Sequence, residues 1–547
     1  MKNLTSVIFK SEKRRDITSN DGIRGKIFGI LSFAIVFGAL AGFMTWASIY
    51  ITKKLEEINQ PYAFINIMLL GNFLILFIES IFQTLNSLYF SKDLKILLRM
   101  PIKSKNIIHS KLLKLMTSEY QMEIIMLAIP MIVYGILYQV SFSFYLYIGI
   151  ILFILPIIPI SITAGIVAVI MRFTNLIKNK SKVMYLTIII AIIVLNILLF
   201  ISGGQASIFD LFSKEVLETE NGIGKEISNN FKLIVPIMDS LQHYNTLQGI
   251  KSLCLYILES IFIYAVSILI ISPIYLKGAI GTIINGSKKI KKEKTELELK
   301  DFKKNSYKKA YIYKEFKVIK RAPIFFIQCI IMPLVLSISI LFIFIAFISA
   351  TKNIGIDVFY QIRKLTSFSW IAGGFLAVNQ IMYMLNFTSI IAISKEERAS
   401  IITKYIPIKL SRQLNLKLFI GKVINVISSI IIVSLYYVCT NNILNSIFIL
   451  LISIGLNSLG EKVKILIDLK NPRIKWDSEY AMMKQNTNVM YELFYTMIII
   501  LISILLGFVI TNIKIYFSIL LIAVLIVNIR LNRYIFKNDI KVFEYIF

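Results

Sequence analysis

The feature that most constrains this chain is the alternation of long apolar blocks with short basic loops. A helix needs about 20 mostly apolar residues to cross roughly 30 Å of hydrocarbon at about 1.5 Å per residue. By that rule the chain holds about twelve spans. They are expected near 27–51, 62–90, 120–138, 143–171, 183–202, 252–276, 324–350, 367–393, 418–439, 443–460, 490–511 and 514–529. The first block is too long for a signal-peptide core and runs directly into further spans, so it is read as retained. The chain is 57% apolar and only 17% charged, against about 25% charged in a soluble domain, which excludes a soluble globular or disordered chain.

The loops orient the spans. The formal charge of +29 lies mostly between apolar blocks rather than in one nucleic-acid-binding module. Lys10, Lys13, Arg14, Arg15, Arg24 and Lys26 precede the first block, and Lys95, Arg99, Lys103, Lys105, Lys111 and Lys114 follow the second. Region 277–322 has 15 Lys/Arg against 5 Asp/Glu. Loop 204–248 is net acidic. Positive loops stay inside, so both termini are expected on the cytoplasmic side of a bacterial cell membrane, in contact with lipid and not with nucleic acid.

Two stretches repeat. Ser91 to Leu115 reads SKDLKILLRMPIKSKNIIHSKLLKL, and Ser394 to Phe419 reads SKEERASIITKYIPIKLSRQLNLKLF. Each has Ser-Lys-acid, then Pro-Ile-Lys, then Lys-Leu ten residues beyond the proline, at Lys111-Leu112 and Lys417-Leu418. The expected fold is therefore an all-helical polytopic membrane protein of two parallel six-span repeats. The first half covers 1–276, with loops 91–118 and 204–248. A basic linker covers 277–322. The second half covers 323–547, with loops 394–417 and 461–489. Within the linker, Tyr313 to Phe326 mixes charge with Phe316, Val318 and Ile319. It reads either as an interfacial helix leading into the seventh span or as a solvated basic linker. Pro101 is expected to stop a short amphipathic helix holding Leu94, Leu97 and Leu98.

These residues resemble a family. The acid-bearing loop ending in Pro-Ile-Lys is similar to the loop after the second span in each half of ABC-2-type transporter permeases. Asp468-Leu469, Pro472, Trp476, Glu479 and Lys484-Gln485 resemble a signature loop of an ABC exporter family of this length, and Lys314–Pro323 resembles its lead-in helix. The resemblance implies the membrane permease subunit of an ATP-driven exporter that moves its substrate outward. It implies no enzyme activity and no cofactor on this chain, with ATP and Mg on a cytoplasmic ABC ATPase present in two copies. It also assigns ATPase coupling to Ser91, Lys92, Asp93, Pro101 and Lys103, and to Ser394, Lys395, Glu396, Glu397, Pro407 and Lys409. Asp468, Pro472, Trp476 and Lys484 are then a structural brace or an ATPase contact. The family often has a glycine after the acid of the second loop, whereas Glu396-Glu397-Arg398-Ala399 has none, which leaves the turn geometry open.

Other chemistry is thin. Cys254, Cys329 and Cys439 sit in apolar stretches and read as structural thiols. His109 and His243 alone build no zinc site and no histidine-based triad. The string Gly281 to Lys288, GTIINGSK, has serine at the lysine position of a phosphate loop and no strand before it. Glu396-Glu397 suggests an intramembrane protease, but the arginine position holds Ile401 and downstream histidines are missing. Intramembrane polar residues give pathway candidates: Asn72, Glu79 and Gln83, and Asn379, Gln380 and Asn386. Asn72, Glu79, Gln83 and Asn86 share one helical face, which serves either a pathway or helix–helix hydrogen bonding. Two other functions fit the same chain. One is an ion-coupled transporter or lipid flippase working through Glu79 or Glu259. The other is a non-transporting scaffold or sensor.

Overall fold

The computed structural model describes residues 23–91, 93–173, 222–292, 306–341, 369–474, 476, 479–484 and 486–537. The described residues are helical with turns, and no β-strand element occurs among them. The chain divides into two compact units, 1–20 with 37–296 and 21–36 with 297–547. Among the described residues eight helices are long and apolar enough to cross a membrane, or nine if one bent pair is a single span, where about twelve in two repeats were expected. The expected fifth span, 183–202, lies outside the described residues.

In the first unit the helix Ala63–Leu85 buries Leu69, Phe73 and Leu76, spaced as one helical face. They join Phe144, Ile148 and Ile151 of Phe142–Ile154 in the core. Pro156 has no N–H to donate, so the next helix, Ile157–Phe173, starts as a separate piece of the same span. The expected span at 120–138 is bent by 44° between Ser104–Tyr120 and Ile124–Leu137. A π-helical turn at Ile124–Ala128 stands at the bend, just before Pro130.

In the second unit the helices Ser369–Met384 and Thr487–Val509 pack backbone to backbone. A Cβ on Gly373 would stand 3.0 Å from the Ser503 carbonyl oxygen, and one on Gly507 would stand 3.0 Å from Trp370 Cα. Ser503 and Gly507 are four residues apart, the small-residue spacing that lets membrane helices approach closely. Asn441 and Asn442 make the tight joint between Phe419–Thr440 and Ile443–Lys470. Asn441 takes the left-handed conformation (φ 52°), and the Asn442 side chain accepts from the Asn445 N–H at 3.1 Å.

Two boundaries differ from expectation. The eighth span does not run to 393: its helix stops at Met384, and the buried residues Ile390–Ile393 follow in turns. Asn386 ends it by drawing the backbone to its side chain, accepting from the Thr388 N–H at 3.0 Å and donating to the Gly421 carbonyl at 3.2 Å. The Lys464 ammonium then caps the helix end through the carbonyls of Tyr383 (3.1 Å) and Asn386 (2.9 Å). The tenth helix runs on to Lys470, so residues 461–470 are helical rather than loop.

Replacing Gly507 with valine should push the two helices apart and lower stability by about 1–3 kcal/mol, read as a lower Tm in detergent. Gly71 has open space at its Cβ position. Its change to alanine should raise Tm slightly, since alanine lowers the backbone-entropy cost of that helix position by about 0.5–1 kcal/mol.

Candidate functional site

The repeated loops fold around equivalent lysines. In the first unit the Lys111 side chain is 3% exposed. Its ammonium donates to the Ser87 carbonyl (2.6 Å), to Ser91 Oγ (2.6 Å) and to the Asp93 carboxylate (3.2 Å). Burial would raise the Asp93 pKa, but Lys111, with Ser91 and Lys114, brings it below the usual Asp value. The helix beyond Asp93 is a single turn, Leu94–Leu97, that ends four residues before Pro101. Leu94 and Leu97 point inward, whereas Ile96 is 61% exposed.

In the second unit Lys417 occupies the same place relative to its proline and is fully buried. It contacts Glu396 at 2.6 Å and Glu315 at 3.0 Å. Lys395 pairs with Glu315 at 2.9 Å, and Lys314 with Glu396 at 2.6 Å. Three ammonium groups and two carboxylates thus meet with a formal charge of 3 − 2 = +1. Burial pushes the Glu315 carboxyl upward, yet Lys395, Lys417 and Lys314 together hold it well below the usual carboxylate range. Burial raises the Tyr311 phenol beside it, and the Tyr311 hydroxyl lies 3.4 Å from Gln413 Oε1.

Asp468 fastens the start of this loop. Its carboxylate accepts from the N–H groups of Ile393 (2.6 Å) and Ser394 (3.1 Å) and from the Ser394 hydroxyl. Trp476 Nε1 donates to the Ser394 carbonyl at 3.2 Å, and its ring meets Phe325 edge-on at 6.2 Å. These contacts make Asp468 and Trp476 braces of the turn. Pro472 is half-buried, and the Lys484 side chain lies outside the described residues, as does Lys92.

Glu397 resolves the missing glycine. It stands at φ 51°, ψ −134°, a backbone region that favours glycine. Pro101, Lys103, Pro407 and Lys409 are exposed on their loops. On the second loop Ile402 is 58% exposed and Tyr405 80% exposed, while Thr403 is buried. Counted back from each proline, Ile402 matches Ile96 and Thr403 matches Leu97.

Four of the six pathway candidates, Gln83, Asn379, Gln380 and Asn386, hydrogen-bond within their own units. Gln83 donates to Glu119, and Asn72 is buried; Glu79 is half-buried and has contacts of its own. Gln380 donates to Asn457 at 3.1 Å, Asn457 reaches Asn379 at 3.4 Å, and Asn386 donates to Asn425 at 2.8 Å. Sequence reasoning missed Glu315, the two latch lysines as site residues, and the buried set Glu461, Lys464 and Glu492. The Lys-Leu word ten residues past each proline carried the signal for the lysines. Glu461 and Lys464 were hidden by ending the tenth span at 460. Cys254 is exposed, unlike the buried Cys329 and Cys439.

The family described as "Putative ATP-binding cassette" matches residues 22–519. The chain belongs to this family. No curated protein and no solved structure matches it. The match overturns the resemblance to ABC-2-type permeases. With it fall the permease function dependent on separate ATPase subunits and its ion-coupled alternative, since the family is named for the nucleotide-binding component. The expectations that this chain is no enzyme, and that ATP and Mg belong to a partner alone, are corrected on the same finding.

The family description implies ATP, and the described residues do not fit it. A phosphate cradle needs a loop of free backbone N–H groups between a strand and a helix, with a lysine at its end. In this family member the string 281–288 lies inside the continuous helix Leu247–Lys292, and Ser287 holds the lysine position.

Three outcomes are expected here. Glu397→Gly should relieve strain and stabilise the chain by about 1 kcal/mol, read as a higher Tm. The Asp93 carboxyl is lowered in the folded chain, so its contribution is present above the ordinary Asp value of 3.8 and is lost as pH falls through the folded value. Hydrogen exchange across 91–103 should accelerate only in that acid range; acceleration near neutrality would contradict the Lys111–Asp93 latch. Photolabelling with an azido-ATP should leave helix Leu247–Lys292 unmarked, and label at 281–288 would overturn the fit argument.

Proposed function

We propose that this chain is a membrane-embedded component of an ATP-binding-cassette transport assembly, and that loops 91–118 and 394–417 are where other components of that assembly dock. The single observation that carries the reading is the matched design of the loops. Each presents an exposed isoleucine, Ile96 or Ile402, five residues before its proline, over a buried lysine latch. A lysine held under a loop fixes the loop's shape, while an exposed apolar side chain on a fixed loop is a natural anchor for a partner pocket. The family supplies the kind of assembly, and the span-length helices supply the membrane.

The loops are strongly basic, which favours the cytoplasmic face of a bacterial cell membrane for both of them. In this reading Ser91, Asp93, Pro101 and Lys103 shape the first docking loop. Ser394, Lys395, Glu396, Glu397, Pro407 and Lys409 shape the second. Asp468 and Trp476 brace it from behind. The amide sets around Gln83 and around Asn379, Gln380 and Asn386 serve as helix-to-helix ties.

Purification of the full chain from its native membrane in mild detergent tests this. A stoichiometric ABC component should accompany it, and Ile96→Asp or Ile402→Asp should release that component while Tm stays within a degree or two. A chain that purifies alone, or a partner indifferent to both substitutions, would sink the docking assignment.

A further inference from the structure

We infer that the helix Tyr307–Arg321 docks on an anionic lipid surface through one face, and that its other face passes this contact to the second docking loop. The helix has two chemically distinct sides. Tyr311, Glu315 and Ile319 recur every four residues and are buried. The opposite side exposes Tyr313 (60%), Phe316 (38%), Lys309, Lys317 and Lys320. Lys317 lies 5.1 Å from the Tyr313 ring centroid and Lys320 lies 5.9 Å from that of Phe316. Six of the fifteen residues are Lys or Arg, and the single acid, Glu315, is buried on the other side. The exposed face is therefore basic and aromatic with no acid on it.

Position selects the occupant. The helix ends at Arg321, and a span-length apolar segment begins at Ile324. Ala322 is extended (φ −103°, ψ 101°), so the chain breaks direction between the two. A basic, aromatic helix held this close to a span start lies within reach of the headgroups. There lysines are attracted by anionic lipid, and amphipathic rings favour the interface. A soluble acidic protein would meet the same charge, but nothing would place it at the span start.

The inner face supplies the second half of the inference. Glu315 is bonded to Lys417 and Lys395, and Lys395 belongs to the Ser394 turn. Lys314, beside it, reaches Glu396 on the same turn. Holding the outer face against a bilayer therefore holds the loop at 394–405 through the fully buried Lys395–Glu315 pair and the partly exposed Lys314–Glu396 pair. This second half deepens the docking reading and rests on it for its consequence, while lipid contact itself does not depend on any partner.

The experiment is hydrogen exchange on the full chain in nanodiscs of phosphatidylcholine alone, or with about a third phosphatidylglycerol to supply negative surface potential. Anionic discs should slow exchange severalfold across 307–321 and across 394–405, and raised salt should cancel the difference. The triple variant Lys309→Gln, Lys317→Gln, Lys320→Gln, which leaves the buried face intact, should lose both effects. Glu315→Gln should keep the first and lose the second. Equal exchange of 307–321 in the two disc types would overturn lipid docking, as would slowing obtained only with an added acidic protein. A helix that responds while wild-type 394–405 does not would overturn the transmission. None of these readouts involves another ABC component, so failure of the docking reading would show separately, in the purification.

Discussion

The second unit is organised by a buried carboxylate, Glu315. Two fully buried lysines, Lys395 and Lys417, stand against it, and neither could keep its charge in a low-dielectric interior without an opposing one. The desolvation of such groups costs several kcal/mol each, and mutual attraction offsets it only when the geometry satisfies all of them. The cluster meets that condition by drawing its members from three separate stretches of chain: the helix before the seventh span, the Ser394 turn, and the helix carrying Lys417. Removing Glu315 leaves Lys395 buried without its carboxylate and Lys417 with Glu396 alone, a loss on the order of 3–5 kcal/mol. The cluster is therefore better understood as specifying one arrangement of those three stretches than as adding net stability.

The first unit solves the same problem with fewer parts. Lys111 has one partly exposed carboxylate, a hydroxyl and a carbonyl where Lys417 has two carboxylates. An ion pair open to water is screened, and contributes little beyond about 1 kcal/mol. The two loops thus share a backbone plan but differ in stiffness. The first can be released by modest changes, whereas release of the second requires charges to separate inside the protein. Two loops with a lysine at the same distance from their prolines are thus held with unequal firmness.

Much of this was legible in the sequence, for physical reasons. Apolar length gave span-length helices, eight or nine among the described residues where about twelve were expected, because the bilayer sets a minimum length for a crossing helix. The repeated Ser-Lys-acid and Pro-Ile-Lys words found the loops because a proline stop and a lysine at fixed distance are local features. What escaped was long-range. Nothing near Glu315 announces that it meets residues about a hundred positions away. The early end of the helix at Met384 depends on Lys464 reaching across to cap it, which a hydropathy reading cannot contain. Lys464 was itself hidden because charged residues 461–464 resemble the end of a span, yet the helix continues through them as a buried polar stripe. The functional class is not legible in the loops, because words shared by three short loops say little about the chain as a whole. The family match extends over 22–519 and sets the class.

The strain at Glu397 fits this account. A side chain in a glycine-type conformation costs on the order of 1–3 kcal/mol and persists only when its surroundings over-determine it. Here the surroundings do. Asp468 and Trp476 pin Ser394 on one side, the lysine cluster pins Lys395 and Glu396 next to it, and Gln413 holds the far end through the carbonyls of Thr403 and Ile408. The turn between these clamps has too little chain to relax. Loosening any one clamp would let Glu397 leave its strained conformation, so the relaxed loop is favoured locally and the observed loop is favoured globally. The clamps therefore hold Glu397 in its strained conformation and keep the loop surface beyond it, Ile402 included, in one shape.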